Sequence, residues 1–432
     1  MSKLMRFPFC WGTDAVKRAP DLAGSGRNDT GVRGGWWVRL ILFTVLLGTP
    51  VFADARVHPH SISRFGWRST PGDLQARLDR IADLVDQSNV PNLVGSERWR
   101  TLLSTHRSNI ERAESHSEFA DAVNALLKDA GISHFHYYTD DDWPYWHLQS
   151  YFGSGGPETK VAHIGIFPRR IGDSWFVNGV LEGSPASSLD IRVGDELLTV
   201  DGLPFHPVAS FRGKEETPVT LRLRRKPGLT LNIRVTPVKE TLHKAFQRAI
   251  RQSVGTVEHA GLRFAYLHGW SLLGWGREYH RLLTMQSGVD GLLLDYRDGF
   301  GGSSDNAMNF FFGDSGTTGE GLGHWVKPAV ILTADGTRSA KEVVVDAVKQ
   351  AGVATLVGTS TPGEVTSVGS VRRIGPDGLL MLPAHRTALE GKPTQPDYWV
   401  DRDIRYCAGA DPQIKRAKEI LVGLIREPAL SN

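Results

Sequence analysis

Three short runs, GLLLDYR at 291–297, PAVILTA at 328–334 and ATLVG at 354–358, are almost wholly apolar and are separated by segments of helical spacing. A strand with no polar face must be covered on both sides, and a parallel sheet with helices above and below it supplies that cover. LRFAYLHGW precedes these runs, and helices are predicted near 276–286, 304–312, 339–351 and 412–425. The chain from Glu240 onward is therefore expected to be an α/β domain with a largely parallel sheet, with SVRRI and LLMLP paired as a hairpin around GPDG.

The preceding segments have other periods. Between Thr70 and Ala130, Phe119, Ala122, Val123, Leu126, Leu127 and Ala130 fall on one helical face, and Ser115 with Glu118 fits a capping box. Gly131 ends that pattern, and ISHFHYYTDDD reads as a strand or an extended loop. VAHIGIF, SWFVNGVL, DELLTVDG, VTLRLRR and LNIRVTPV then alternate with turn signals as a compact β-rich module. The first 53 residues have the pattern of an export signal, because Arg33 and Arg39 precede the apolar run Leu40–Gly48 and VFA forms a small-x-small site before Asp54. A membrane anchor or a buried helix is the alternative for that run, which is too short to span a bilayer.

With the signal go seven basic and three acidic residues, so the formal charge falls from +3 to −1. A nearly neutral chain without basic tracts carries no electrostatic footprint for nucleic acid. Cys10 also leaves, so Cys407 has no intramolecular partner. The chain has no CxxC pair, Walker loop or HExxH, and no cofactor is expected. His134, His136, His147 and Asp140 to Asp142 match no defined ligand spacing, and no metal site is assigned.

VNGVLEGSPASSLDIRVGDELLTVDGLPF resembles a PDZ domain of the kind found in bacterial proteases, through Gly183 to Ala186, Gly194–Asp195 and Val200 to Gly202. That resemblance implies an extended peptide added to a sheet edge, with Ile164, Gly165 and Ile166 in the loop that takes its terminal carboxylate. GISHFHYYT, GLLLDYRDGFGGSSDNA, ILTADGTRSAKEVVVDAVKQAGVATLVG and LEGKPTQPDYWV, in that order, resemble the C-terminal processing (tail-specific) peptidase family. The implied fold is α/β, a ClpP/crotonase-like core over 240–432 with an inserted PDZ domain over 160–239. A helical N-terminal domain over 54–130, a segment over 131–159 bearing a Ser-His pair, and the signal over 1–53 complete it.

The resemblance also implies site residues. Ser339 takes the nucleophile's place at a helix start, although a plain N-cap is the other use of serine there. Ala340 and the pair Gly301–Gly302 supply oxyanion amides. The turn TSTPGEVTS departs from the family, with Glu364 where a lysine base is usual, and as part of a turn Glu364 is expected to matter little. Lys341, two residues from Ser339, should point elsewhere. The tricorn-core branch uses a histidine instead, which implies His134 as base, held by Glu390 and Ser133 and titrating near its ordinary value of about 6.5. The expected function is an exported, periplasmic or secreted serine endopeptidase acting on peptides or proteins, with capture of their C-termini. A catalytically silent PDZ-bearing protein that binds peptides or hydrophobic ligands is the alternative.

Overall fold

The computed structural model describes residues 71–152, 159–273, 276–313 and 323–426, with the two-residue strand Thr44–Val45. Apart from that pair, which lies antiparallel to Gly302–Ser303, the expected signal falls outside the described residues.

The apolar runs form the centre of a six-stranded sheet, in the order Gly255–His259, Leu262–His268, Gly291–Asp295, Ala329–Thr333, Thr355–Gly358 and Tyr398–Trp399. The first pair is antiparallel and the others are parallel. Alternation sends Leu292, Leu294 and Ile331 to one face, against Phe246, Leu282, Phe310 and Val344 of four helices. Leu293, Val330 and Leu332 face the other side, against Ala417, Ile420 and Leu421 of helix Pro412–Arg426. Every residue of the central strands is buried, which explains why they lack a polar face. Each such leucine or valine contributes roughly 1.5–3 kcal/mol.

Residues Val161–Glu240 leave and re-enter this core through a closing pair of strands, Val161–His163 and Val238–Glu240. Between them lies a six-stranded antiparallel sheet in the order Ile166–Ile171, Ser174–Val180, Glu196–Val200, Val219–Lys226 and Leu229–Val235, with Leu203–Pro204 paired to Glu196–Val200 off this path. Its core includes Ile164, Val177, Leu197, Leu221 and Leu223.

A third sheet joins distant parts of the chain. The expected hairpin is present as Ser367–Ile374 and Gly378–His385, and His136–Thr139 adds to its free edge. The helices Pro71–Asp86, Ser96–Glu111 and His116–Asp129 bury Leu78, Trp99, Phe119 and Leu127 against Tyr137, Ile374 and Leu380 of that sheet. At the last of these helices Ser115 Oγ accepts the Glu118 N–H at 3.2 Å, while the Glu118 carboxylate takes the Glu114 N–H at 2.8 Å. Among the described residues no helix is long and apolar enough to cross a membrane.

Candidate active site

Ser339 stands where a core strand turns into a helix. After Ala329–Thr333, Thr337 Oγ1 accepts the Ala334 N–H at 2.9 Å and donates to the Tyr296 carbonyl at 3.0 Å. Ser339 follows at φ 63° and ψ −127° and begins helix Ala340–Gln350. Such a backbone costs a non-glycine residue on the order of 1–3 kcal/mol and persists only when its surroundings hold it. Glu342 holds it, accepting the N–H groups of Ser339 at 3.2 Å, Gly363 at 2.6 Å and Glu364 at 2.8 Å. Burial pushes the Glu342 carboxyl above its ordinary range, against the pull of these donors. Ser339 and Glu342 stand in a capping-box arrangement at the helix start, but the buried Ser339 hydroxyl has no partner within hydrogen-bond geometry among the described residues.

Gly301 closes over this hydroxyl. A Cβ there would lie 2.8 Å from both Cβ and Oγ of Ser339 and 3.2 Å from the Ala340 nitrogen. The Gly301 carbonyl turns away to accept the Leu272 N–H at 2.8 Å, and Gly302 bridges Leu272 in parallel. The Ala340 amide is the first of its helix, so it has no acceptor along the helix and shares the positive end of the dipole.

His134, at φ 58°, brings its Nδ1 to 3.2 Å from Ser133 Oγ. Ser133 is held in turn by Glu390: its N–H donates to Oε1 at 2.9 Å and its hydroxyl to Oε2 at 2.8 Å. Burial raises the Glu390 carboxyl, but hydrogen bonds from Ser133, Val365 and Thr366 outweigh it and keep the carboxyl below its usual value, hence ionised. An anion only accepts, so the Ser133 proton is committed to Glu390. Its oxygen is then left to accept from Thr366 N–H at 3.1 Å and from His134 Nδ1–H. That fixes the tautomer, with Nε2 free of a proton. Nε2 is also buried and without a hydrogen-bond partner among the described residues. Burial, then the Arg338 charge, lowers the His134 pKa to about 3, with Glu390 pulling the other way. The expected titration near 6.5 is thus corrected: desolvation keeps the ring neutral far below that value.

Four consecutive amides tie the two halves together. Gly363 and Glu364 donate to Glu342, Val365 donates to Glu390 Oε2 at 2.8 Å, and Thr366 donates to Ser133. The turn TSTPGEVTS therefore makes these contacts through its backbone. No side-chain letter announces this; the Ser339-x-x-Glu342 spacing is the one sequence signal of that arrangement. The Glu364 side chain is more than turn filler, because it pairs with the guanidinium of Arg338 beside Ser339.

Ile164, Gly165 and Ile166 lie apart from this cluster, in the β-rich module. Both isoleucines are buried in its core, and the carbonyls of Ile164 and Gly165 accept from Ala186 at 2.9 Å and Leu181 at 2.8 Å. Asp140 and Asp141 pair with Arg212, and Asp142 accepts the Thr139 N–H at 2.7 Å, so this acidic run is used in local contacts. Among the described residues no group of three or more His, Cys, Asp or Glu is placed to hold a metal.

Residues 313–400 match the model of peptidase family S41. The chain is 23% identical over 367 residues to tricorn protease homolog 1 of Streptomyces coelicolor, a match covering 76% of this chain and 33% of that protein. It is 20% identical over 360 residues to the tricorn protease of Thermoplasma volcanium, covering 74% and 33%. The chain thus spans about a third of the curated relatives it matches. Among solved structures, the tricorn protease is similar at 17% identity and TM-score 0.49, over 82% of this chain and 37% of that one. The photosystem II D1 C-terminal processing protease is similar at 18% identity and TM-score 0.47, over 80% and 96%. Through the segment that contains Ser339 and Glu390, the chain is similar to peptidase family S41.

Proposed function

We propose that the protein is an exported serine endopeptidase in which His134 activates Ser339. The observation that carries this reading is the tautomer fixed by Glu390 through Ser133, which leaves a proton-free Nε2, together with a Ser339 hydroxyl that has no hydrogen-bond partner among the described residues. In the reaction His134 Nε2 takes the Ser339 proton as Oγ attacks the peptide carbonyl, and returns it to the leaving amine. The Gly301 and Ala340 amides receive the oxyanion, an interaction worth about 3–4 kcal/mol per donor. Glu390, acting through Ser133, orients the ring and favours its charged form as it appears.

The β-rich module is read as a PDZ-like domain that captures an extended peptide or a C-terminal tail. Its terminal strand Ile166–Ile171 has one neighbour in the sheet, so its outer edge is available for strand addition. Two contacts support delivery toward the site: the Phe167 ring is 6.3 Å from that of Phe300, and Arg169 pairs with Asp335 in the turn before Ser339. In Ser339→Ala protein, a bound peptide should slow amide exchange over 166–171; binding with no protection there would leave the module a spacer. Complete burial of Ser339 favours the second reading, a silent ligand-binding relative. A fluorophosphonate probe, which forms an Oγ–P bond and expels fluoride, separates the two by labelling Ser339 or failing to. Export is tested by the intact mass from the native host, expected to begin at Asp54; a product retaining Leu40–Gly48 would contradict it.

A further inference from the structure

Lys341 makes no hydrogen bond to the Ser339 hydroxyl; it is fully buried, with its Nζ donating to the main-chain carbonyl of Asp298. Among the described residues it has no ion-pair partner. The Asp295 and Asp298 carboxylates pull on it from a distance, but Asp295 is engaged by Arg297 at 2.8 Å and Asp298 by Asn178 at 2.6 Å and Arg402 at 3.5 Å. The Tyr296 ring centroid lies 6.0 Å from its Nζ. A buried ammonium without a counter-ion is costly, and a methionine would fill the same space without that cost. Burial accordingly lowers its pKa to about 7.

What the lysine holds is specific. Asp298 begins the loop that carries Gly301, and the rest of that loop is fixed to Trp270–Leu272: Phe300 N–H donates to the Trp270 carbonyl at 2.6 Å and Leu272 N–H to the Gly301 carbonyl at 2.8 Å. Gly299, at φ 86°, has no room for a Cβ, which would lie 1.9 Å from the Trp270 oxygen. Lys341 ties this loop to the first turn of the helix that supplies the Ala340 amide.

We infer that Lys341 is a positioning residue, which sets the Gly301 amide against the Ala340 amide through the Asp298 carbonyl and places positive charge beneath the developing oxyanion. This rests on the peptidase reading above. Second-order rates of fluorophosphonate labelling are measured from pH 5 to 9 for the wild type, Lys341→Met and Lys341→Gln. The wild-type rate should fall as pH rises through about 7, because the lysine then loses its charge. Lys341→Met should label about tenfold or more slowly at pH 6, a fraction of the loss seen when an oxyanion donor is removed, and its profile should lack the alkaline fall. Lys341→Gln, which keeps a donor without the charge, should be intermediate and likewise lack it. A merely structural lysine would lower the unfolding midpoint and leave the alkaline fall in place. Variants that label within twofold of the wild type and share its profile overturn the inference, and so does a wild type without the fall. Should Lys341→Met fail to fold, Lys341→Gln and the wild-type profile decide. If the wild type is not labelled at any pH, the peptidase reading fails and takes this role with it.

Discussion

His134 is neutral because it is buried, and this changes what pH should do. With its pKa lowered to about 3, protonation does not compete with base catalysis above pH 5, so labelling should show no acid limb near 6.5. A fall to half between pH 7 and 6 would contradict that environment. Ser133→Ala removes the acceptor of Nδ1–H and frees the tautomer; labelling should slow about tenfold to a hundredfold, as for other groups that orient a catalytic side chain. Glu364→Ala removes the carboxylate that pairs with Arg338, whose positive charge acts on His134. A several-fold slower rate is expected, where a residue that merely completed a turn would have no effect.

At the level of elements, the turn that carries Ser339 and the segment that carries His134 are joined by the backbone of 363–366, and Glu342 is its anchor. Glu342→Ala leaves the Ser339, Gly363 and Glu364 amides without their acceptor. A loss of about 3 kcal/mol or more in urea unfolding is expected, since each hydrogen bond to a charged group is worth about 1.5–3 kcal/mol; a loss under 1 kcal/mol would mean that water replaces it. Gly301→Ala should abolish labelling, because its Cβ would press on Ser339 at 2.8 Å. The parallel sheet, its helices and the hairpin were legible because unbroken apolar runs and 3.6-residue spacing are local signals. Ser339, His134, Ser133 and Glu390 were singled out through separated motifs, and hydrogen bonds join the last three. The bridging amides were not, since backbone N–H groups carry no letter. Nor was the addition of His136–Thr139 to the hairpin, a pairing across more than two hundred residues that only the packed chain decides.

At the scale of the molecule, three histidines of the described structure are held neutral, two of them buried and one half-buried. His134, His136 and His147 are each lowered to about 3, in every case first by burial. In the unfolded chain they bind protons near 6.5, so below that pH the unfolded state holds more protons than the folded one, and stability must fall as pH drops from 6.5 toward 3. Urea midpoints should therefore be lower at pH 5 than at pH 7, and replacing His147, which stacks on Phe300 at 4.2 Å, by phenylalanine should reduce the difference. Equal midpoints would contradict the burial of these rings. The central claim, that His134 activates Ser339, is tested most directly by locating the fluorophosphonate adduct by mass spectrometry in wild-type and His134→Ala protein at pH 6.5. The account predicts an adduct on Ser339 in the wild type and almost none in the variant. Equal labelling in both, or a wild type that never labels, would contradict it.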